Sequence, residues 1–170
     1  MDKIKVIEDF ISKEDCDLAV THYDKLVTQG KFQKVGDGRL LLKNANQGFP
    51  LDLVNKYLPK INKAYKTTFY IRDILLSLYS DGAFIAPHWD EHTFFRNNLG
   101  AVIYFNDNFE GGEIFFSNYD FYYKPKKSSI IFFPCNDSEY EHGVYPVTSG
   151  TRYTMPIEFT LKKEEEFLIK

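Results

Sequence analysis

Ala101-Val102-Ile103-Tyr104-Phe105-Asn106-Asp107-Asn108-Phe109-Glu110-Gly111-Gly112-Glu113-Ile114-Phe115-Phe116 decides the fold class. Two short apolar and aromatic runs, 99–105 and 113–117, are each closed by turn-forming residues. β-branched and aromatic side chains fit a pleated, half-buried surface, whereas Asn, Asp and Gly tolerate tight turns. The same texture runs from Phe69 onward, with strands expected at 70–79, 83–89, 121–123, 129–133, 142–147 and 151–160. Asp81-Gly82 and Ser149-Gly150 supply further turns. Many short antiparallel strands of this kind form a double-sheet jelly roll.

Ahead of this region the apolar period changes to that of helices. Ser12 reads as an N-cap, with Glu14 and Asp15 in the first turn and Gly30 as the stop; Leu18, Ala19, Tyr23, Leu26 and Val27 form the apolar stripe. A second helix is expected from Leu51 to about Tyr65, burying Leu53, Val54, Tyr57, Leu58 and Ile61, with Pro59 kinking or dividing it. Residues 4–7 form a short strand, Pro156 marks a bulge or edge, and the tail 162–170 adds an edge strand or frays. Gly36-Asp37-Gly38 and Asn44 to Gly48 suggest a mobile, functional loop. The fold class is therefore mainly β (α+β): a double-stranded β-helix (jelly roll) with N-terminal helices packed on one face, in a single domain over residues 1–170.

Composition narrows the function classes. The chain has 170 residues, 44% of them hydrophobic, enough for one real core. A net charge of -3 gives no electrostatic pull toward nucleic acid or an anionic membrane. The basic turn Lys124-Pro125-Lys126-Lys127 reads as a solvated strand connection. Cys16 and Cys135 are too few for a disulfide framework, Met1 to Lys5 is no secretory signal, and no apolar run is long enough to span a bilayer. A cytoplasmic protein is expected.

His88-Trp89-Asp90 carries the chemistry. In a strand, residues 88 and 90 point the same way, offering one imidazole and one carboxylate, two legs of a 2-His-1-carboxylate facial triad for non-haem Fe(II). His142 is the best candidate for the third leg. After it, a turn near Ser149 folds Arg152 back beside the histidine, where a guanidinium can grip a carboxylate bidentately. Each residue alone has a plainer reading: a surface histidine, a hydrogen-bonded structural histidine, a surface ion pair. Trp89 is expected to face away from its neighbours into the packing layer. His92 reads as a loop residue, His22 as structural, Cys135 as a buried inert thiol, and Tyr119, Phe121 and Tyr123 as core filling with substrate stacking as the alternative.

Taken in order, His-x-Asp, Gly111-Gly112-Glu113, the lysine turn, His142, Pro146-Val147 and a basic residue ten places after the histidine resemble the prolyl 4-hydroxylases of the Fe(II)/2-oxoglutarate dioxygenase superfamily. The resemblance covers about residues 70–160, and Val6 to Phe10 is similar to the usual opening. It implies His88, Asp90 and His142 as iron ligands and Arg152 as the partner of the 2-oxoglutarate C5 carboxylate. It also places Tyr79 and Tyr104 in the cosubstrate pocket, with ascorbate as reductant. Arg152 stands where collagen-type members often carry lysine, and Ser128-Ser129 where glycine is common. Related halogenases lack the carboxylate, so Asp90 implies hydroxylation.

The expected activity is dioxygen- and 2-oxoglutarate-dependent hydroxylation of an aliphatic C–H, with a prolyl residue in a peptide or protein as first candidate. A groove formed by residues 36–48 and 91–98 would take an extended peptide. Free amino acids and other protein side chains stay open as substrates. Two alternatives remain: a catalytically inactive jelly-roll binding module, and a cupin-like metal enzyme without a cosubstrate.

Overall fold

The computed structural model describes residues 3–90, 99–135 and 137–167. Its elements run β1 (Lys5–Ile7), α1 (Lys13–Thr28), β2 (Gln33–Lys34), β3 (Leu40–Leu42), α2 (Gly48–Tyr65), β4 (Tyr70–Ile74), β5 (Leu76–Tyr79), β6 (Ile85–His88) and β7 (Leu99–Tyr104). They continue with β8 (Glu110–Gly111), β9 (Ile114–Phe116), β10 (Phe121–Tyr123), β11 (Ile130–Pro134), β12 (His142–Val144), β13 (Val147–Ser149) and β14 (Arg152–Thr160).

A large antiparallel sheet is ordered β1-β11-β7-β14-β5-β3-β2, with β4 also pairing β14; a smaller one is ordered β10-β9-β12-β6. Together they make the jelly roll. Both faces of the large sheet are covered. Met155, Ile157 and Phe159 of β14, with Ala101, Ile103, Ile130 and Phe132, pack against Cys16, Ala19, Tyr23, Leu53, Val54 and Ile61 of the helices. Tyr104, Ile131 and Phe133 pack the other way, against Ile114, Phe116 and Tyr140. Double coverage explains why Ile130-Ile131-Phe132-Phe133 is continuously apolar: neither set of alternate side chains meets water.

Local chemistry sets the helix ends. The Ser12 hydroxyl accepts the Asp15 N–H at 3.0 Å, satisfying one orphan donor of α1. The helix closes at Gln29, and Gly30 takes φ +66°. Helix α2 begins three residues before the expected start, and Pro59 lies inside it without dividing it. Leu53, Val54 and Ile61 bury fully, and Tyr57 and Leu58 partly, so α2 keeps its packing stripe across the proline. Leu18 is 56% exposed and Val27 is also exposed, so α1's buried stripe is narrower than its apolar spacing suggests; Cys16, Ala19 and Tyr23 occupy the contact instead.

Pro156 is in the middle of the large sheet. β14 pairs β5 through Arg152, Tyr153 and Thr154, and β4 through Ile157 to Thr160. Pro156 stands where the facing strand breaks, its carbonyl accepting the Leu75 N–H at 2.9 Å. The missing donor is thus placed at a partner change. The tail folds back as a short 3-10 turn, Lys163–Glu165, where buried Glu165 accepts the Thr160 hydroxyl at 2.7 Å. The lysine connection is solvated and salt-bridged: Lys124, Lys126 and Lys127 pair Glu110, Glu8 and Asp17. Next to it, Ser128 adopts φ +74°, a conformation that favours glycine. No helix among the described residues is long and apolar enough to cross a membrane.

Candidate metal centre and cosubstrate pocket

His88 closes β6 and His142 opens β12, and the two are direct partners in the antiparallel register. Cross-strand pairing therefore sets the two imidazoles against each other, with ring centroids 4.6 Å apart. Asp90, two residues beyond His88, turns to the same side: its Oδ1 lies 3.6 Å from His88 Nε2. One ligand atom from each of His88, Asp90 and His142 lies within 4.8 Å of the others. Residues 52 positions apart have become a facial set of two imidazoles and one carboxylate, which suits Fe(II) with open positions opposite.

Backbone carbonyls set the tautomers. Nδ1 of His88 lies 3.0 Å from the Ala86 carbonyl, and Nδ1 of His142 lies 3.0 Å from the Tyr140 carbonyl. A carbonyl only accepts, so Nδ1 carries the proton and Nε2 presents its lone pair inward. Phe133 and Phe116 flank the His142 ring, and burial lowers its pKa, keeping it neutral. His88 is shifted upward because the Asp90 carboxylate beside it favours the protonated ring, an effect that exceeds the opposing burial. Burial pushes the Asp90 carboxyl up, but the neighbouring imidazoles, His88 foremost, leave it lowered.

Arg152 opens β14, opposite Tyr79 on β5, and is 1% exposed. Its guanidinium carbon lies 4.3 Å from the Tyr79 ring centroid and 5.2 Å from that of Tyr104. These π faces favour the cation without using its N–H groups. Nε and Nη1 of Arg152, and the Tyr104 hydroxyl, are buried without a hydrogen-bond partner among the described residues. Burial raises the Tyr104 pKa well above its ordinary value, with the nearby Arg152 charge only partly offsetting it, so the phenol remains a donor. Arg152 lines the cavity with two such donors, and a carboxylate bound there can satisfy a guanidinium through two N–H groups at once.

Arg152, Tyr79 and the triad line one cavity of about 460 Å³, which also reaches Arg39, Arg72 and Glu158. That volume suits a small-molecule ligand. The donor set matches Fe(II), and the orphaned guanidinium matches the far carboxylate of 2-oxoglutarate.

Residues 74–157 match the sequence model described as the 2OG-Fe(II) oxygenase superfamily. That segment contains the triad, Tyr79, Tyr104 and Arg152, so over its site-bearing part the chain is similar to that superfamily. Human prolyl 3-hydroxylase 2 is 34% identical over 101 residues, covering 52% of this chain and 14% of that protein. Among solved structures, the viral collagen prolyl hydroxylase of Paramecium Bursaria Chlorella virus-1, in its 2OG complex, superposes with a TM-score of 0.73 at 19% identity. That match covers 95% of this chain and 97% of that one. A Pseudomonas putida prolyl-4-hydroxylase gives 0.73 at 15% identity, covering 94% and 93%. A Trichoplax adhaerens prolyl hydroxylase, in complex with a hypoxia inducible factor oxygen degradation domain peptide fragment, gives 0.73 at 15%, covering 96% and 86%. These superpositions place the superfamily's jelly roll over nearly the whole chain.

All six residues picked out in the sequence meet in this region: the triad, Arg152, Tyr79 and Tyr104. Trp89 is 41% exposed, so it meets solvent instead of the expected packing layer. His22 stacks on Phe49, and Tyr119, Phe121 and Tyr123 pack against the core between the sheets. His92 and the rest of 91–98 lie outside the described residues. Three contributors carried no such reading. Arg39 pairs Asp37 beside the Tyr79 ring. Gly112, at φ +71°, leaves room for Arg152, whose Cδ would lie 2.9 Å from a Cβ there. The Cys135 thiol donates to Asp90 Oδ2 at 3.5 Å. Gly112 had a visible signal as part of the Gly-Gly-Glu motif, Arg39 falls in the 36–48 stretch read as a functional loop, and Cys135 was read as inert.

Proposed function

We propose that this chain, a single domain over residues 1–170, is an Fe(II)- and 2-oxoglutarate-dependent dioxygenase hydroxylating an aliphatic C–H, foremost a prolyl residue in a peptide or protein. The carrying observation is that the His88–Asp90–His142 cluster shares one cavity with a buried guanidinium whose Nε and Nη1 lack a hydrogen-bond partner among the described residues. An inactive binding module has no use for that combination, and a metal enzyme without a cosubstrate has none for Arg152. The peptide target is supported by the relatives named above, prolyl hydroxylases among them. Cys16 and Cys135, buried and unpaired, suit a reducing, cytoplasmic setting.

Bound ferrous iron supplies the coupled chemistry: dioxygen oxidises 2-oxoglutarate to succinate and carbon dioxide while the substrate C–H becomes C–OH. The chain's part is orientation and water exclusion. Nε2 of His88, Nε2 of His142 and a carboxylate oxygen of Asp90 would hold the metal. Arg152 pairs the C5 carboxylate, and the Tyr104 hydroxyl donates to the same group, with the Tyr79 ring seating the guanidinium. The aromatic rings around His142 keep water from that side.

The test incubates the protein with Fe(II), 2-oxoglutarate and ascorbate and measures succinate, with proline-containing peptides screened for a +16 mass change. Succinate is expected from the wild type and only background from His142→Ala or Asp90→Ala. Undiminished turnover in either variant overturns the assignment.

A further inference from the structure

We infer that Cys135 is a positioning residue for Asp90, its thiol occupying the second carboxylate oxygen so that the first alone faces the metal position. This rests on the metal-site reading above. A carboxylate can bind a metal through one oxygen or two, and an unoccupied second oxygen is free to swing onto the ion. Here the two oxygens have different surroundings. Oδ1 lies 3.6 Å from His88 Nε2. Oδ2 accepts the Cys135 S–H at 3.5 Å.

The packing around the thiol supports the assignment. Cys135 is buried and lies just past Pro134, the end of β11, on the strand pair β11–β7 that also places Gly100 opposite Phe133. A Cβ at Gly100 would lie 2.7 Å from Cys135 Sγ and 3.0 Å from a Phe133 ring carbon, so the absence of a side chain there gives the sulfur its seat. Cys135 also lines the cavity that holds the triad. A sulfur kept in place by a bare glycine, with its hydrogen directed at a carboxylate, differs from a thiol that merely fills space.

A weak donor next to a ligand makes a modest contribution. Loss of such partners typically weakens metal binding 10–100-fold, so about tenfold is expected here. The experiment uses Co(II) as probe, titrated into the full chain and followed by its d–d absorption, whose intensity falls as coordination number rises. Cys135→Ala is expected to weaken Co(II) binding about tenfold and lower the band intensity, as Asp90 becomes bidentate. Cys135→Ser keeps a donor at the position and is expected to restore the wild-type spectrum. Thermal unfolding of the metal-free variants reports the packing loss separately.

An alanine variant with wild-type Co(II) affinity and spectrum overturns the proposal, as does a serine variant that behaves like alanine. A wild-type protein giving no Co(II) band, or a His142→Ala variant giving an unchanged one, overturns the metal site itself. The two failures are therefore distinguishable.

Discussion

Replacing Arg152 by methionine separates a cosubstrate anchor from a structural arginine, because the two roles predict opposite losses. The guanidinium is buried, with Nε and Nη1 lacking a hydrogen-bond partner among the described residues, so before ligand binds it is a charge removed from water. Replacing buried ionic groups by apolar ones of similar volume often stabilises by about 1–4 kcal/mol. Against that stand the two π contacts at 4.3 and 5.2 Å, together roughly 3 kcal/mol if the closer, desolvated one reaches about 2. The two effects nearly cancel, and the thioether can make favourable contacts of its own with the same rings. The ligand-free variant is therefore expected to unfold within about 1 kcal/mol of the wild type in urea. Binding changes far more. Removing one partner of a buried charge pair costs about 3–5 kcal/mol, which is roughly 150- to 5,000-fold in Kd. The assay is titration of 2-oxoglutarate into the Co(II)-loaded protein, in parallel with 2-oxopentanoate, which has the same chain but lacks the far carboxylate. The wild type should prefer 2-oxoglutarate by that factor, and Arg152→Met should bind both acids about equally. A variant that loses more than about 3 kcal/mol of stability yet keeps its preference for 2-oxoglutarate refutes the reasoning.

Metal affinity should fall as pH drops through the histidine range, because both Nε2 atoms must be neutral to bind. The His88 shift is upward, because the Asp90 carboxylate favours the protonated ring, so its proton is the first to compete, costing about tenfold in Co(II) affinity per pH unit below its pKa. His142, shifted downward by burial, adds its proton only at lower pH, and a flat Co(II) titration series between about pH 5 and 8 contradicts the assignment. In the metal-free protein the His88 shift has the opposite sense: its stabilising contribution is complete below the unfolded-state value and is lost as pH rises through the raised one. Gly112→Ala places a Cβ 2.9 Å from Arg152 Cδ at a positive φ, so about 1–2 kcal/mol of stability should be lost. It should also weaken 2-oxoglutarate binding while leaving Co(II) affinity unchanged; an unaltered 2-oxoglutarate Kd in that variant removes Gly112 from the anchor.

The legible parts of this sequence share one property: their signal is local. Ser12 with Glu14 and Asp15 marks a helix start whatever the rest of the chain does, and the 114–116 and 121–123 runs alternate or cluster as strands must. His88 and Asp90 share a face by strand period alone. What escaped depends on distant partners. Leu40–Leu42, between two turn-rich stretches, becomes a strand only because β5 offers an edge for it. Pro156 read as a bulge or edge residue because nothing local reveals that the facing strand breaks at Leu75. Cys135 read as inert because its relation to Asp90, 45 residues away, exists only after β11 and the end of β6 converge. Leu18 and Val27 show the reverse error: helical spacing was present, but the sheet below α1 is covered without them.

The division of the site between sheets has a consequence for how it forms. Both histidines belong to the small sheet, on adjacent strands β6 and β12, whereas the cation belongs to β14 in the large sheet. His142 also faces Phe116 on β9, so one strand register fixes the metal-facing imidazole from both sides. A slip of one residue would put Gly143 in its place and turn the imidazole to the opposite face. The β12–β6 pairing is regular at His142–His88 and becomes irregular only between residues 142 and 144, where the strand is no longer holding a ligand. The irregularity therefore lies immediately outside the paired histidines, letting Val144 meet Ile85 without disturbing them. Arg152 needs no part of that register; it is placed by β5 and by the bare backbone of Gly112. Metal binding should consequently order the small sheet, and the dicarboxylate should clamp it to the large one, so each ligand stabilises a different interface of the same jelly roll.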